Sequence, residues 1–286
     1  MTWLQAYGRS GAKEELAKGA DADTYAFTGT YTPGDKPLAL VLLPALFIGE
    51  WMWEKQFEAL KAAGWPIVQF TESISLVDRK TARSINRMAA RIMEVCRSFT
   101  DRDLVVAGDS LGGLVAFEFA RSFPDRTAGI VASGAPGLNT TVSQIAREVG
   151  EGAHTPQQYA DNFMAKLMYD PSAHDIDEER YQATVKELSK PATVVSMLGA
   201  LKAISRYNSR KIVMELPTPK LFIWGRQDEI TPAEEWEEAT PLMQDARIHV
   251  IDECGHGPMF EKPEEYNREL LGFLDELTAR RAPGPG

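Results

Sequence analysis

The sequence predicts an α/β fold: a doubly wound, mostly parallel sheet with helices on both faces, interrupted by an all-helical insertion. Three observations carry that expectation. Short apolar runs of strand character alternate with helix-length amphipathic stretches along most of the chain. One such run passes through a tight Gly-x-Ser-x-Gly turn straight into a helix. The alternation then stops between about residues 137 and 216, where every apolar stripe has helical spacing, and resumes afterwards.

With 286 residues the chain has room for one large α/β domain carrying an insertion, and 44% hydrophobic with 25% charged residues is an ordinary globular composition. A net charge of −10, from 31 basic and 41 acidic residues without a long basic run, argues against a nucleic-acid partner. The first ten residues lack the apolar segment of a signal peptide, and no later stretch approaches a membrane-spanning length. The expected setting is therefore the cytoplasm, with no membrane partner. Cys96 and Cys254 form neither a disulfide framework nor a metal-ligand pattern and read as packing residues, so no metal is expected.

The elements follow in order. The first twenty or so residues carry no readable signal. Residues 24–31 alternate as a half-exposed strand should, and Pro33-Gly34-Asp35 supplies a turn. Residues 37–43 form a continuous apolar run of the kind buried on both faces of a parallel sheet. A helix over 53–63, closed by Gly64, leads to a strand over 65–70. Ile85, Met88, Ala89, Ile92 and Cys96 recur at helical spacing, which predicts about four turns before the central strand at 103–107.

That strand enters Gly108-Asp109-Ser110-Leu111-Gly112, followed by a helix to about Pro124 and another buried strand over 128–133. In the insertion, Tyr159, Phe163 and Leu167 make one stripe and Tyr181, Val185 and Leu188 a second. Val194, Met197, Leu198, Leu201 and Ile204 make a third. Strands return at 219–224 and 247–251. A last helix beginning at Pro263 carries Tyr266, Leu270, Phe273, Leu274 and Leu277 on one face, and the tail 281–286 reads as disordered.

A chain that leaves a strand and enters a helix with almost no loop forces its apex residue into a rare backbone conformation. It also brings strand and helix too close for side chains at the flanking positions. Gly108 and Gly112 remove the atoms that would collide, and Ser110 is held out at the strand's carboxyl end. A serine so placed reads as a nucleophile, which needs a base oriented by a carboxylate. Of four histidines, His154 and His174 lie in polar parts of the insertion and His249 lies inside a strand. His256 follows a strand end with a glycine on each side. The acid is sought at a strand end between serine and histidine, where Trp224-Gly225-Arg226-Gln227 leads to Asp228 and Glu229. Asp228 is preferred and Glu229 is the fallback.

These pieces, in this order, resemble the α/β-hydrolase superfamily, in its lidded branch with a helical cap between the sixth and seventh strands. The resemblance implies a core of residues 1–136 and 217–286 with a cap over 137–216. It also implies Ser110 as nucleophile, Asp228 as orienting acid and His256 as base. Where the family usually has His-Gly, this chain reads Pro44-Ala45-Leu46-Phe47. The backbone N–H groups of Leu46 and Leu111 are then the expected oxyanion hole, since Pro44 has none to give.

Phe47, Asp109, Met164, Met168 and Met197 are the candidate pocket residues, with core packing as the competing role for the methionines. The expected activity is cofactor-independent hydrolysis of a small to medium apolar ester, thioester or lactone by a monomer or homodimer. Carbon–carbon bond hydrolysis, lyase or biosynthetic chemistry is the alternative on the same triad, and a ligand receptor a third.

Overall fold

Strands buried at every position need both faces covered, and the middle of the sheet is built on such strands. A computed structural model describes residues 29–46, 48–76, 78, 80–138, 151–152, 155–170, 182–183, 185–186 and 189–281. Among them seven strands form one sheet: β1 (Gly29–Thr32), β2 (Ala39–Leu43), β3 (Ile67–Phe70), β4 (Leu104–Asp109), β5 (Thr127–Ser133), β6 (Lys220–Gly225) and β7 (Ala246–Ile251). Their spatial order is β1-β3-β2-β4-β5-β6-β7. Only β1 runs antiparallel to its neighbour, and the remaining pairs are parallel.

The described helices are α1 (Glu54–Ala62), α2 (Ile85–Phe99), α3 (Leu111–Ser122), α4 (Pro156–Leu167), α5 (Pro191–Arg206), α6 (Ser209–Glu215), α7 (Ala233–Ala239), α8 (Pro258–Glu261) and α9 (Pro263–Arg281). Strand residues alternate between two cores. Val41, Val106, Ile130 and Phe222 face α2, α3 and α7, whereas Leu42, Val105, Val131 and Leu221 face α1 and α9.

The direction of winding reverses beside β2. The chain goes from β2 through α1 to β3 on one side, then returns through α2 to β4 on the other. An open sheet has its crevice at such a reversal, outside the carboxyl ends of the strands. Those ends are Leu43-Pro44-Ala45-Leu46 and Asp109-Ser110.

Helices predicted from strong periodicity match closely. α2 buries Ile85, Met88, Ala89, Ile92 and Cys96, and α9 buries Tyr266, Leu270, Phe273, Leu274 and Leu277. The third stripe of the insertion needs correction, because Leu198 on α5 is 58% exposed while Ala200, Ala203 and Ile204 are buried. Small residues let α5 approach α2 and the turn Ile74–Leu76, so the packed face is set by closeness of backbones and not by side-chain size. Of the second stripe only Val185 is described, and residues 1–28 and 282–286 lie outside the described residues. Among the described residues no helix is long and apolar enough to cross a membrane.

Candidate active site

The turn after β4 has the strain its sequence implied. Ser110 adopts φ 52° and ψ −113°, a conformation that side chains other than glycine's rarely hold. Its N–H donates to the Ser133 carbonyl at 2.9 Å, and its own carbonyl accepts from the N–H of Gly113 at 3.1 Å and of Leu114 at 3.3 Å. A Cβ on Gly108 would stand 2.2 Å from the Gly112 carbonyl oxygen, and one on Gly112 would stand 2.6 Å from that of Leu43, so no larger residue fits either place.

Asp228 and His256 meet as expected. The ring Nδ1 lies 3.0 Å from Asp228 Oδ1 and 2.9 Å from Oδ2, with both side chains almost completely buried. Asp228 is fixed in turn by the N–H groups of Ile230 (2.9 Å) and Thr231 (2.8 Å) and by the Thr231 hydroxyl (2.8 Å). Thr231 Oγ1 also lies 3.3 Å from His256 Nδ1. Glu229 points elsewhere, toward Lys166 at 3.5 Å.

Burial alone would lower the His256 pKa. The charge of Asp228 and the hydrogen bond to it, with Asp109 and Glu261 behind, outweigh burial and push it up to about 9. Among the described residues Ser110 Oγ has no hydrogen bond to this ring, and such bonds commonly tighten only when substrate is bound.

Three residues that sequence reasoning did not single out complete the setting. Gly134, just past β5, has φ +55°, and a Cβ there would lie 2.6 Å from His256 Cε1 and 3.0 Å from Nε2. The imidazole therefore rests against bare backbone. Thr231 holds the Asp228 carboxylate through its N–H and hydroxyl. Glu261, buried, accepts from the N–H of Gly255 and of Tyr169, both at 2.8 Å, while the His256 N–H donates to the Leu167 carbonyl at 2.9 Å. The end of α4 is thereby fastened to the histidine loop.

In the sequence Glu261 stands only as a residue shortly before the Pro263 that begins the last helix, and nothing local marked its partners. Cys254 is buried beside this carboxylate, and burial pushes its thiol well above the usual range, in keeping with a packing role. His249 on β7 pairs with Glu265 at 2.7 Å, both side chains partly exposed. His154 and His174 lie outside the described residues.

A small apolar alcove of about 10 Å³, room for about one water molecule, borders Asp109 and Gly257, the chain neighbours of Ser110 and His256. Trp51, Met52, Met168, Met259 and Phe260 line it, together with Asp109. Of the candidate pocket residues, Asp109 and Met168 border the alcove. Met197 instead packs half-buried against the core on that side, and Phe47 and the Met164 side chain lie outside the description.

Asp109 is fully buried, and among the described residues neither carboxyl oxygen has a hydrogen-bond partner. Burial pushes its pKa up to about 7 against the pull of His256, and the Asp228 charge adds to the rise. The nearby Ser110 N–H, already committed to Ser133, has the weakest influence. The N–H groups of Leu46 and Leu111 make no hydrogen bond to other described residues.

A family model described as Alpha/beta hydrolase family matches residues 40–269. The chain belongs to that family. A 2-hydroxy-6-oxo-6-phenylhexa-2,4-dienoate hydrolase of Comamonas testosteroni is 28% identical over 180 residues, 59% of this chain and 62% of that protein, so the match spans less than two thirds of it. A 2-hydroxy-6-oxononadienedioate/2-hydroxy-6-oxononatrienedioate hydrolase of Dechloromonas aromatica is 27% identical over 241 residues, 78% of this chain and 80% of that one. The structure of an esterase from Thermogutta terrifontis shares the fold, with a TM-score of 0.72 at 20% identity over 94% of this chain and 100% of that one.

Proposed function

We propose that the chain is a serine hydrolase acting on a small to medium apolar ester, thioester or lactone, with residues 137–216 as a cap on a core of 1–136 and 217–286. The observation that carries this reading is the buried Asp228–His256 pair at the same end of the sheet as the strained Ser110.

In the proposed cycle His256 Nε2 takes the Ser110 Oγ proton as Oγ bonds the substrate carbonyl carbon. The resulting oxyanion accepts from the N–H groups of Leu46 and Leu111, each such donor being worth about 10²–10³ in rate. His256 returns the proton to the leaving oxygen or sulfur, which departs to leave an acyl-serine. Water then loses a proton to His256 as its oxygen attacks, and the acid product leaves as Ser110 regains its hydrogen. Asp228 keeps Nδ1 protonated and faces the imidazolium that forms. The reaction requires only water as co-substrate.

Carbon–carbon bond hydrolysis is the second reading, favoured by the named activities of the two relatives. The names of their substrates end in dienoate or dienedioate and so carry carboxylates. The alcove offers no cationic side chain among the described residues, and the buried carboxyl of Asp109 behind its wall repels such a group whenever it is ionised. That charge pattern favours an uncharged carbonyl substrate.

Intact-mass measurement after a fluorophosphonate probe, with chromogenic esters and lactones of graded length, tests the proposal. One adduct, lost in Ser110→Ala together with at least a thousandfold of kcat/KM, is expected. Turnover unchanged in Ser110→Ala overturns the reading. Retained cleavage of a ketonic substrate with no ester turnover moves it to the second.

A further inference from the structure

Two serines with no part in the triad bond one backbone oxygen. Ser73 and Ser75 follow β3, both are almost completely buried, and both hydroxyls donate to the Leu46 carbonyl, that of Ser73 at 2.7 Å. The hydroxyl oxygens lie 2.9 Å apart, and the Ser75 N–H donates to Ser73 Oγ at 3.3 Å, which holds the pair together. One donor is enough to satisfy a buried carbonyl, whereas two side-chain donors also fix its plane.

The loop they grip is held on its other side as well. The Leu43 carbonyl accepts from Trp53 Nε1 at 3.1 Å, and the Ala45 N–H donates to Met52 Sδ at 3.4 Å. The peptide bearing the Leu46 N–H is therefore the single unit between a held N–H before it and a held carbonyl after it. Because peptides are rigid planes, it turns only through opposed rotations about Ala45 ψ and Leu46 φ. The Leu46 N–H itself makes no hydrogen bond to other described residues.

We infer that Ser73 and Ser75 are positioning residues for the oxyanion hole, which through the Leu46 carbonyl hold the Leu46 N–H in the direction from which it meets a developing oxyanion. The inference deepens the hydrolase reading and rests on it. A donor aimed in advance needs no reorganisation as charge develops, and one free to swing does. An uncharged ester carbonyl gains little from that aim, so loss of the hydroxyls lowers kcat and leaves KM in place.

The test compares Ser73→Ala, Ser75→Ala and the double variant with the wild type, by kinetics on an activated ester and by affinity for phenethyl trifluoromethyl ketone and its carbinol. When Ser110 Oγ bonds the ketone carbon, the hydroxyl proton passes to His256 Nε2 and the ketone oxygen becomes an oxyanion. The carbinol has no carbonyl and reports the apolar fit alone. Each single variant is expected to lose about fivefold in kcat and in ketone affinity, and the double variant about thirtyfold, with KM and carbinol affinity within twofold of wild type.

Wild-type kcat and ketone affinity in the folded double variant, or in both single variants where the double fails to fold, overturn the inference. So does an equal loss of ketone and carbinol binding, which marks a merely structural role. Failure of the hydrolase reading shows instead in the wild type, as absence of a fluorophosphonate adduct at Ser110, and there the two fall together.

Discussion

At the scale of single residues, the position of the imidazole depends on an atom that is absent. Gly134 has a positive φ and a missing Cβ that would fall 2.6 Å from His256 Cε1 and 2.9 Å from Nδ1, both inside van der Waals contact. Gly134→Ala therefore displaces the ring from Asp228 or moves the β5 end, and adds about 1–2 kcal/mol of left-handed backbone strain. A fall of about a hundredfold in kcat/KM is expected, as for other misplacements of order 1 Å. Steady-state kinetics beside a thermal melt separate the two effects, and full activity in a folded variant contradicts this account of the ring's seat. The placement of Ser110, Asp228 and His256 was legible because each stands after a strand end with glycine or a turn beside it. Gly134 was not, since its role exists only through a ring 122 positions later in the chain.

At the scale of elements, legibility follows the strength of the period. α2 and α9 present large apolar residues on one face and were read correctly, because burying that face is the main source of their stability. α5 was misread at Leu198, because its buried side is made of small residues whose value lies in backbone approach, which hydrophobicity does not register. The seam between α4 and α8 was not legible at all, since it consists of hydrogen bonds from Gly255 and Tyr169 to one carboxylate and from His256 to the Leu167 carbonyl. Glu261→Gln tests it. The amide leaves a backbone N–H donor facing another donor, at a cost of about 1–3 kcal/mol for a buried group. Limited proteolysis is expected to cut within 151–170 several-fold faster in this variant, with a reduced kcat. Cleavage at the wild-type rate indicates that other contacts hold α4 in place.

At the scale of the whole molecule, the site sets an opposition between activity and stability. His256 is raised from 6.5 to about 9 and Asp109 from 3.8 to about 7 on folding, so the folded chain binds more protons than the unfolded chain over the intervening range. The stability each contributes is fully present below its unfolded pKa and is lost as pH rises through its folded pKa. Glu118 and Asp78, whose pKa values are lowered, act in the opposite direction but only in acid, where carboxylates titrate. Lys220, buried against three carbonyls and lowered to about 8, begins to oppose the trend only above neutrality. Between about pH 5 and pH 7.5 the free energy of unfolding should therefore decline, as denaturant titrations at a series of pH values would show. Asp109→Asn should flatten the lower part of that decline. Over the same range kcat/KM for an activated ester should climb toward pH 9, because only the neutral imidazole can take the serine proton. A limb centred near 6.5, or stability that rises from pH 5 to 7.5, contradicts this picture of a proton held in the site by three buried carboxylates.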